Sequence, residues 1–405
     1  MGEHGCQKAM PWKECVVLEE RFQFVNEWNS GDWSMAELCR FFGVARMTGY
    51  KWLGRYAEEG LAGLQDRSRA PHRPSGALGE EVEEAVLAVR ENHPYWGARK
   101  IQAYLQRVEA EVIPATSTIG SMLKSNGLTV KRKRRRAARP SSEPLGHATE
   151  ANKVWCADFK GWFRTGDGQR IDPLTISDAY SRYLLRCQVV QAADYRHSKP
   201  IFEAAFREYG LPERIRTDNG APFGSNGESG LTGLSVWWIK LGVRPERIAP
   251  GKPQQNGRHE RLHRTLKQET ASPPARNRRA QQESFDAFRR EYNEERPHEA
   301  LQQTTPASHY VPSGRPYPKR MAEISYPLEW EVRAVSDGGQ MRWQCDRVFV
   351  AHALEGERVG LESIDERYRR VWFSFYEVGV LDSKHGRVIR PKQWEKRERY
   401  VNAIL

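Results

Sequence analysis

The chain has 405 residues, enough for two to four domains, each with its own hydrophobic core. Charged side chains make up 29% of it and its formal net charge is +12, a balance that favours a polyanionic partner such as nucleic acid. No run approaches the ~18 apolar residues that a membrane helix needs. Met1–Trp12 lacks the charged-then-apolar order of a secretory signal, and six scattered cysteines form neither a Cys-x-x-Cys pair nor a zinc-module spacing. Cys39, Cys156, Cys187 and Cys345 fall in apolar or strand-like runs and are expected to be reduced core residues of a cytosolic protein.

The first module spans residues 12–65. Ser34 and Glu37 have the capping-box spacing, and Met35, Leu38, Phe41 and Phe42 follow at helical intervals. Gly43 supplies a turn, after which Val44–Tyr56 restarts a helix with Tyr50, Trp52 and Leu53 available for packing. This is a helix–turn–helix arrangement, whose second helix suits the DNA major groove. Arg46, Thr48 and Lys51 are its candidate outward, DNA-facing residues. Residues 66–78, rich in Pro, Arg and Ser, read as a linker. A second helical, helix–turn–helix-like module covers 79–130 and is expected to bind DNA as well, with helices over Glu80–Asn92, Gly97–Val108 and Thr116–Asn126 and Thr116 as the expected N-cap.

Residues 131–150 form a basic linker that opens with Lys131, Arg132, Lys133, Arg134, Arg135 and Arg136. Six adjacent cations repel one another and bind a phosphate backbone readily. Full engagement would give a log–log salt slope of about −0.9 per contact. A nuclear-import signal is the other use of such a run.

From residue 151 to 310 the pattern alternates between strands and helices. Val154–Phe163, Leu174–Tyr180 and Tyr183–Val190 read as strands, and Ser198–Tyr209 reads as an amphipathic helix. The strand Arg214–Thr217, the helix Leu234–Leu241 and the strand Val243–Ile248 follow. That order suits an α/β domain of the ribonuclease-H type.

Three acids stand out in this region. Asp158 lies inside an apolar strand, Asp218 where a short strand breaks into a loop, and Glu260 in an otherwise basic helix. A lone buried carboxylate is costly, and three converging ones repel, so a divalent cation is their natural partner. Two Mg²⁺ ions, with Mn²⁺ as a substitute, would suit phosphoryl transfer on a polyanion, with Asp158 bridging both and Asp218 and Glu260 each completing one. Structural alternatives exist for each acid. Asp158 could pair with Arg182 or Lys160, Asp218 could cap the Asn219–Gly220 turn, and Glu260 could pair with Arg264 at i,i+4. Glu246 and Glu228 are rival third acids. Arg258, Arg261, Arg264 and Lys267 surround Glu260, and Lys252 precedes it in a Pro- and Gly-containing loop; all five are candidate DNA contacts.

Thr217–Gly220 followed by Pro222–Phe223, then Pro250–Gly257, Glu260 and Leu266–Lys267, resembles the integrase catalytic core of bacterial insertion-sequence transposases. Tyr292–Asn293, Arg296–His298, Ala300–Leu301 and Thr305–Pro306 extend the resemblance, which covers about 152–306, and the helix–turn–helix modules match the family's layout. It implies a ribonuclease-H-like fold and the Asp–Asp–Glu triad on Asp158, Asp218 and Glu260. It also implies 3′-end cleavage by water, then strand transfer into target DNA, without ATP or a covalent enzyme intermediate. The double-stranded DNA partners would be element ends with terminal inverted repeats and the target. An oligomer is expected on DNA, and a cytoplasmic, nucleoid-associated protein of a bacterium. Forty-one residues separate Asp218 from Glu260, more than the family usually has, and the glycine-rich Gly224–Gly233 stretch accommodates the excess. The alternatives are an inactive transposase-derived DNA-binding regulator and a plain ribonuclease H, which would leave the N-terminal modules without a purpose.

Residues 320–395 are rich in strand formers at Val348–Val350, Arg358–Leu361, Arg370–Tyr376 and Glu377–Leu381, with Asp337–Gly339 as a hairpin turn. A small β-barrel contacting DNA or another subunit is expected there. The fold class is therefore multidomain: N-terminal all-α modules, a central α/β core and a C-terminal barrel.

Overall fold

A computed structural model describes residues 17–67, 78–129, 148–225, 229–248, 257–391 and 393–395. The chain divides into two compact units between Leu78 and Gly79. The basic run Lys131–Arg136, Lys252 and the rival acid Glu228 lie outside the described residues.

In the first unit, α1 (Val17–Ser30), α2 (Met35–Phe41) and α3 (Arg46–Glu59) form a trihelical module. The Ser34 capping box is present: Glu37 N–H donates to Ser34 Oγ at 3.4 Å, and Ser34 N–H donates to Glu37 Oε2 at 3.1 Å. Gly43, at φ +64°, makes the turn. Phe24, Met35, Leu38 and Cys39 form the core, and α3 presses onto it through Gly49, where a Cβ would stand 2.8 Å from Cys39 Sγ. That close approach sets the phase of α3. Leu53 turns inward, whereas Tyr50 turns outward, 56% exposed, against its expected packing role. Phe41 is likewise 69% exposed, because Leu38 and Phe42 occupy the inner face of the short α2. Trp52 lies beneath the Arg21 guanidinium, 3.8 Å from the ring centroid.

The second unit begins with α4 (Glu80–Asn92), α5 (Ala98–Arg107) and α6 (Thr116–Ser125) around Val86, Trp96, Ile101, Leu105 and Ile119. Thr116 does not cap α6. Ala115 is the N-cap residue, and the Thr116 hydroxyl donates instead to Gln102 Oε1 of α5 at 2.7 Å.

A five-stranded sheet follows, of β1 (Val154–Phe159), β4 (Leu174–Asp178), β5 (Leu184–Gln188), β6 (Arg214–Thr217) and β7 (Arg244–Arg247), ordered β5-β4-β1-β6-β7. β1, β4 and β5 form an antiparallel meander, while β6 lies parallel to β1 and β7 parallel to β6. The first strand is shorter than its expected Val154–Phe163 span. Gly161, at φ +83°, ends the extended run, and β2 (Phe163–Arg164) pairs with β3 (Arg170–Ile171) as a separate hairpin. Helix α7 (Tyr195–Tyr209) starts three residues earlier than its apolar period suggests, because Asp194 accepts a capping bond from His197 N–H at 2.8 Å.

Alternation along the strands gives the sheet two covered faces. Trp155, Ala157, Leu174, Ile176 and Leu185 pack under α7 and α8 (Gly233–Lys240). On the opposite face, Leu184 and Cys187 pack under α9 (Gly257–Thr270) and α10 (Arg278–Arg290). α10 runs into a π-helical turn, Glu291–Glu295, in which Asn293 accepts from Leu184 N–H at 2.7 Å and donates to Leu184 O at 3.0 Å. The Tyr292–Asn293 motif thus secures edge strand β5. The helical module docks on this turn: His93 Nδ1 lies 3.0 Å from Glu291 Oε1, and the Arg107 guanidinium donates to Glu295 O at 2.9 Å.

The C-terminal module has seven antiparallel strands: β8 (Glu331–Ser336), β9 (Gln340–Trp343), β10 (Asp346–Phe349), β11 (Arg358–Ser363), β12 (Tyr368–Phe373), β13 (Tyr376–Asp382) and β14 (Arg387–Ile389). Their order is β10-β9-β8-β11-β12-β13-β14, and the edge strands β10 and β14 meet, so the sheet is a near-closed barrel. The Asp337–Gly339 turn joins β8 to β9 as expected. The barrel core is continuous with Leu231, Val236 and Ile239, which seats the module on α8. Cys39, Cys156 and Cys187 are buried free thiols, but Cys345 is exposed at the β9–β10 turn.

Asp382, at the end of β13, is fully buried and accepts 2.8 Å bonds from Arg367 Nε and Nη2, with His385 Nδ1 also at 2.8 Å. The Arg367 guanidinium, followed by His385, holds its carboxyl well below the usual carboxylate range despite burial. A depressed folded-state pKa gives stability that is present above the unfolded value and lost as pH falls through the folded one. Asp382→Asn is therefore expected to lower the melting midpoint at pH 7 by several degrees. It should also flatten the dependence of that midpoint on pH below about 4. Parallel wild-type and variant acid-melting curves would refute this role.

Candidate active site

Asp158 and Asp218 reach the same place through strand pairing. Val154 faces Arg214, Trp155 faces Ile215 and Cys156 faces Arg216 across β1 and β6. The same register, continued by two residues, sets Asp158 beside Asp218, with strands about 4.8 Å apart and both side chains of equal parity. Both residues are partly buried. Asp218 also accepts from Gly220 N–H at 3.1 Å, so it caps its turn while its second oxygen remains for other partners. The rival Glu246 is committed elsewhere, 2.6 Å from the buried Arg216 guanidinium on the neighbouring strand.

Helix α9 covers this face. His259, Leu262, His263, Leu266 and Thr270 are its buried residues, the i, i+3, i+4, i+7 and i+11 stripe of one helical face. Leu262 and Leu266 pack towards β5 and α10, whereas His259 and His263 sit over Thr175 of β4. At about 100° per residue, Glu260, Arg264 and Lys267 then follow on the flank beyond His263, away from Leu262. All three are exposed, as is Arg261. Lys160, just past β1, is within electrostatic reach of both Asp158 and Lys267. Burial, reinforced by Lys267, lowers the Lys160 pKa, while Asp158 opposes the shift. The Arg258 side chain lies outside the described residues.

Asp158 and Asp218 thus occupy neighbouring strand ends, and Glu260 lies on the helix over the same sheet face. The three are not drawn into one cluster: among the described residues, no three His, Cys, Asp or Glu side chains stand close enough to hold a metal ion. The segment 249–256 that leads into α9 is outside the described residues. The aspartate pair on its own fits a hard cation. Two adjacent carboxylates repel without one, their oxygens suit Mg²⁺ or Mn²⁺, and Mg²⁺ is commonly held by one or two carboxylates together with substrate phosphates.

Beneath Asp158 lies a polar cluster that sequence inspection missed. Thr175 Oγ1 is 2.6 Å from His259 Nε2, 2.7 Å from His263 Nε2 and 3.2 Å from Asp158 O. Ser177 Oγ stands 3.4 Å from His259 Nδ1, and His263 Nδ1 stands 4.0 Å from Asp158 Oδ2. Burial pushes the His259 pKa down to about 4 and that of His263 lower still, so both rings are neutral. The available signal was the i,i+4 spacing of the two histidines with alternating hydroxyls on β4, which becomes meaningful only once α9 is docked.

In the first unit, Arg46 and Lys51 are exposed on α3 and Thr48 is half-buried. Met47, 81% exposed, and Tyr50 share the outward surface and were not singled out as contacts.

Residues 148–253 and 241–306 match the integrase core domain family. Residues 20–72 match a helix–turn–helix domain and 48–123 a homeodomain-like domain. The chain is 27% identical over 214 residues to the insertion element IS407 uncharacterized 31.7 kDa protein of Burkholderia multivorans, covering 52% of this chain and 74% of that protein. It is 29% identical over 179 residues to the insertion element IS476 uncharacterized 39.2 kDa protein of Xanthomonas euvesicatoria, covering 44% of this chain and half of that protein. The HTLV-2 integrase catalytic core domain in complex with magnesium aligns over 40% of this chain and 99% of its own at 14% identity, with a TM-score of 0.32. The simian T-cell lymphotropic virus intasome in complex with PP2A regulatory subunit B56 gamma aligns over 76% of this chain and 99% of its own, at 14% identity and a TM-score of 0.36.

Proposed function

We propose, for a chain that carries helix–turn–helix domains and the integrase core of the bacterial insertion-sequence transposases, a specific reaction. It binds the terminal inverted repeats of its element, cleaves their 3′ ends and joins them to target DNA. The reading is supported by the β1–β6 register, which on continuation past Cys156 and Arg216 aligns Asp158 with Asp218, and by the helix over that face that bears Glu260.

Asp158, Asp218 and Glu260 would hold two divalent ions. When bound, such ions activate an oxygen nucleophile and neutralise charge on the departing 3′ oxygen. The chain's own residues do the rest. Lys160 and the exposed Arg261, Arg264 and Lys267 grip the phosphates beside the scissile bond, and Arg46, Thr48 and Lys51 hold the element end. Joining two ends to one target calls for at least a dimer on DNA. Work on a chromosome places the protein in the cytoplasm, associated with the nucleoid. Among the described residues no helix is long and apolar enough to cross a membrane.

The test is incubation of the full chain with DNA carrying the sequences that flank its gene, with Mg²⁺ or with a chelator. Metal-dependent nicks at the 3′ ends and joined products are expected. Tight end binding with no cleavage under any divalent metal would favour the inactive regulator.

A further inference from the structure

We propose that Ser177, His259, Thr175 and His263 form a one-directional hydrogen-bond relay that turns the Nδ1–H of His263 towards the Asp158 carboxylate, 4.0 Å away, and so favours one orientation of it through charge rather than a direct hydrogen bond. These are positioning residues, and their effect on metal binding rests on the function proposed above; the relay itself rests on the hydrogen-bond distances and on the burial of both rings, which disfavours a charged imidazole.

The direction follows from counting donors. The Thr175 hydroxyl has one proton and two acceptor sites, while each neutral imidazole has one N–H and one bare nitrogen. Two ring nitrogens and the Asp158 carbonyl compete around Thr175 Oγ1, all within 3.2 Å. If both rings donated to Thr175, its proton would go to Asp158 O, and the bare Nδ1 of His263 would face Asp158 Oδ2 at 4.0 Å. The reversed relay has the same defect. A lone pair facing a carboxylate in a buried site is repulsive.

One arrangement avoids it. Ser177 O–H donates to His259 Nδ1, His259 Nε2–H donates to Thr175 Oγ1, and Thr175 O–H donates to His263 Nε2. His263 then presents Nδ1–H to Asp158. Each histidine is fixed in a different tautomer, His259 at Nε2 and His263 at Nδ1, although both Nε2 atoms touch the same hydroxyl. Such outer partners hold a metal-binding carboxylate in one rotamer.

Long-range ¹H–¹⁵N correlation on the full chain with ¹⁵N-labelled histidine, assigned through single substitutions, reads the tautomers directly. His259 as Nε2–H with His263 as Nδ1–H is expected; His263 as Nε2–H overturns the relay. The tautomers are read in the unsubstituted protein, and Thr175→Ser, which keeps the hydroxyl, supplies the assignment if a histidine variant fails to fold. Free Mn²⁺ counted by electron paramagnetic resonance then tests the link to Asp158. Thr175→Val should weaken Mn²⁺ binding by about tenfold or more, and Thr175→Ser should restore it. Equal binding by the Val variant refutes the orienting role. If the unsubstituted chain binds no Mn²⁺, the metal assignment fails, and the tautomers alone decide the relay.

Discussion

Asp218→Asn is expected to abolish metal-dependent strand cleavage while leaving binding to the DNA ends intact. The amide keeps the shape of the side chain and retains an oxygen that can accept from Gly220 N–H, so the turn after β6 should persist. What disappears is the negative charge beside Asp158. A carboxylate that holds a divalent ion contributes several kcal/mol to the charge-stabilised transition state, equivalent to about a thousandfold or more in rate. Asp158→Asn should act as strongly, because the β1–β6 register, continued two residues past its last pair, Cys156 and Arg216, aligns the two acids. End affinity should change less than about threefold, since the proposed contacts of Arg46, Thr48 and Lys51 belong to a separate compact unit. A gel-based cleavage assay alongside an end-binding titration separates the two effects. Cleavage at an unchanged rate by either variant would remove these aspartates from the site.

The largest stability effect is expected at Arg296. Its guanidinium lies 2.5 Å from Glu269 Oε1, and both side chains are largely buried. Burial raises the Glu269 pKa even though Arg296 pulls it down. The pair therefore relieves the desolvation of Glu269 only in part. Lys100 of α5 also faces these acids, with its own pKa pushed down to about 7 by burial and by Arg296. Arg296→Met would leave a buried carboxylate without its main partner, a change that costs about 3–5 kcal/mol. The sign with pH is definite. With a raised folded pKa, the folded state binds the proton more tightly, so stability is fully present below the unfolded value and declines as pH rises towards the folded one. The penalty in Arg296→Met should thus be smallest below about pH 4 and grow towards neutrality. Replacing Glu269 by Leu in the same chain should recover most of it. Urea unfolding at two pH values measures both effects. A loss under about 1 kcal/mol, or one independent of pH, would show that the pair carries little.

Local sequence rules went far where the determining interactions are themselves local. The capping box at Ser34 and Glu37 and the Asp337–Gly339 turn each depend on residues a few positions apart, and each is present in the structure. The motif around Thr217–Gly220 and the basic helix mark Asp218 and Glu260 in the sequence, whereas the structure does not draw them and Asp158 into one cluster among the described residues. Local rules failed where helix phase is set from outside. Tyr50 and Phe41 satisfy a helical period yet face solvent, because Gly49 lets α3 press against Cys39 and so chooses the buried side. Thr116 looks like a cap but spends its hydroxyl on Gln102 of a different helix.

The sequence by itself determined the types of element and the integrase-like motifs, since turn, period and side-chain class are properties of short segments. Only the tertiary structure decided that β6 runs parallel to β1 in the register that aligns residues 158 and 218, and that α9 lays two histidines on Thr175. A shift of one residue in that pairing would turn one acid to the opposite face, and no local pattern forbids it. The choice is made by the apolar residues of both sheet faces, which bury together only in this register.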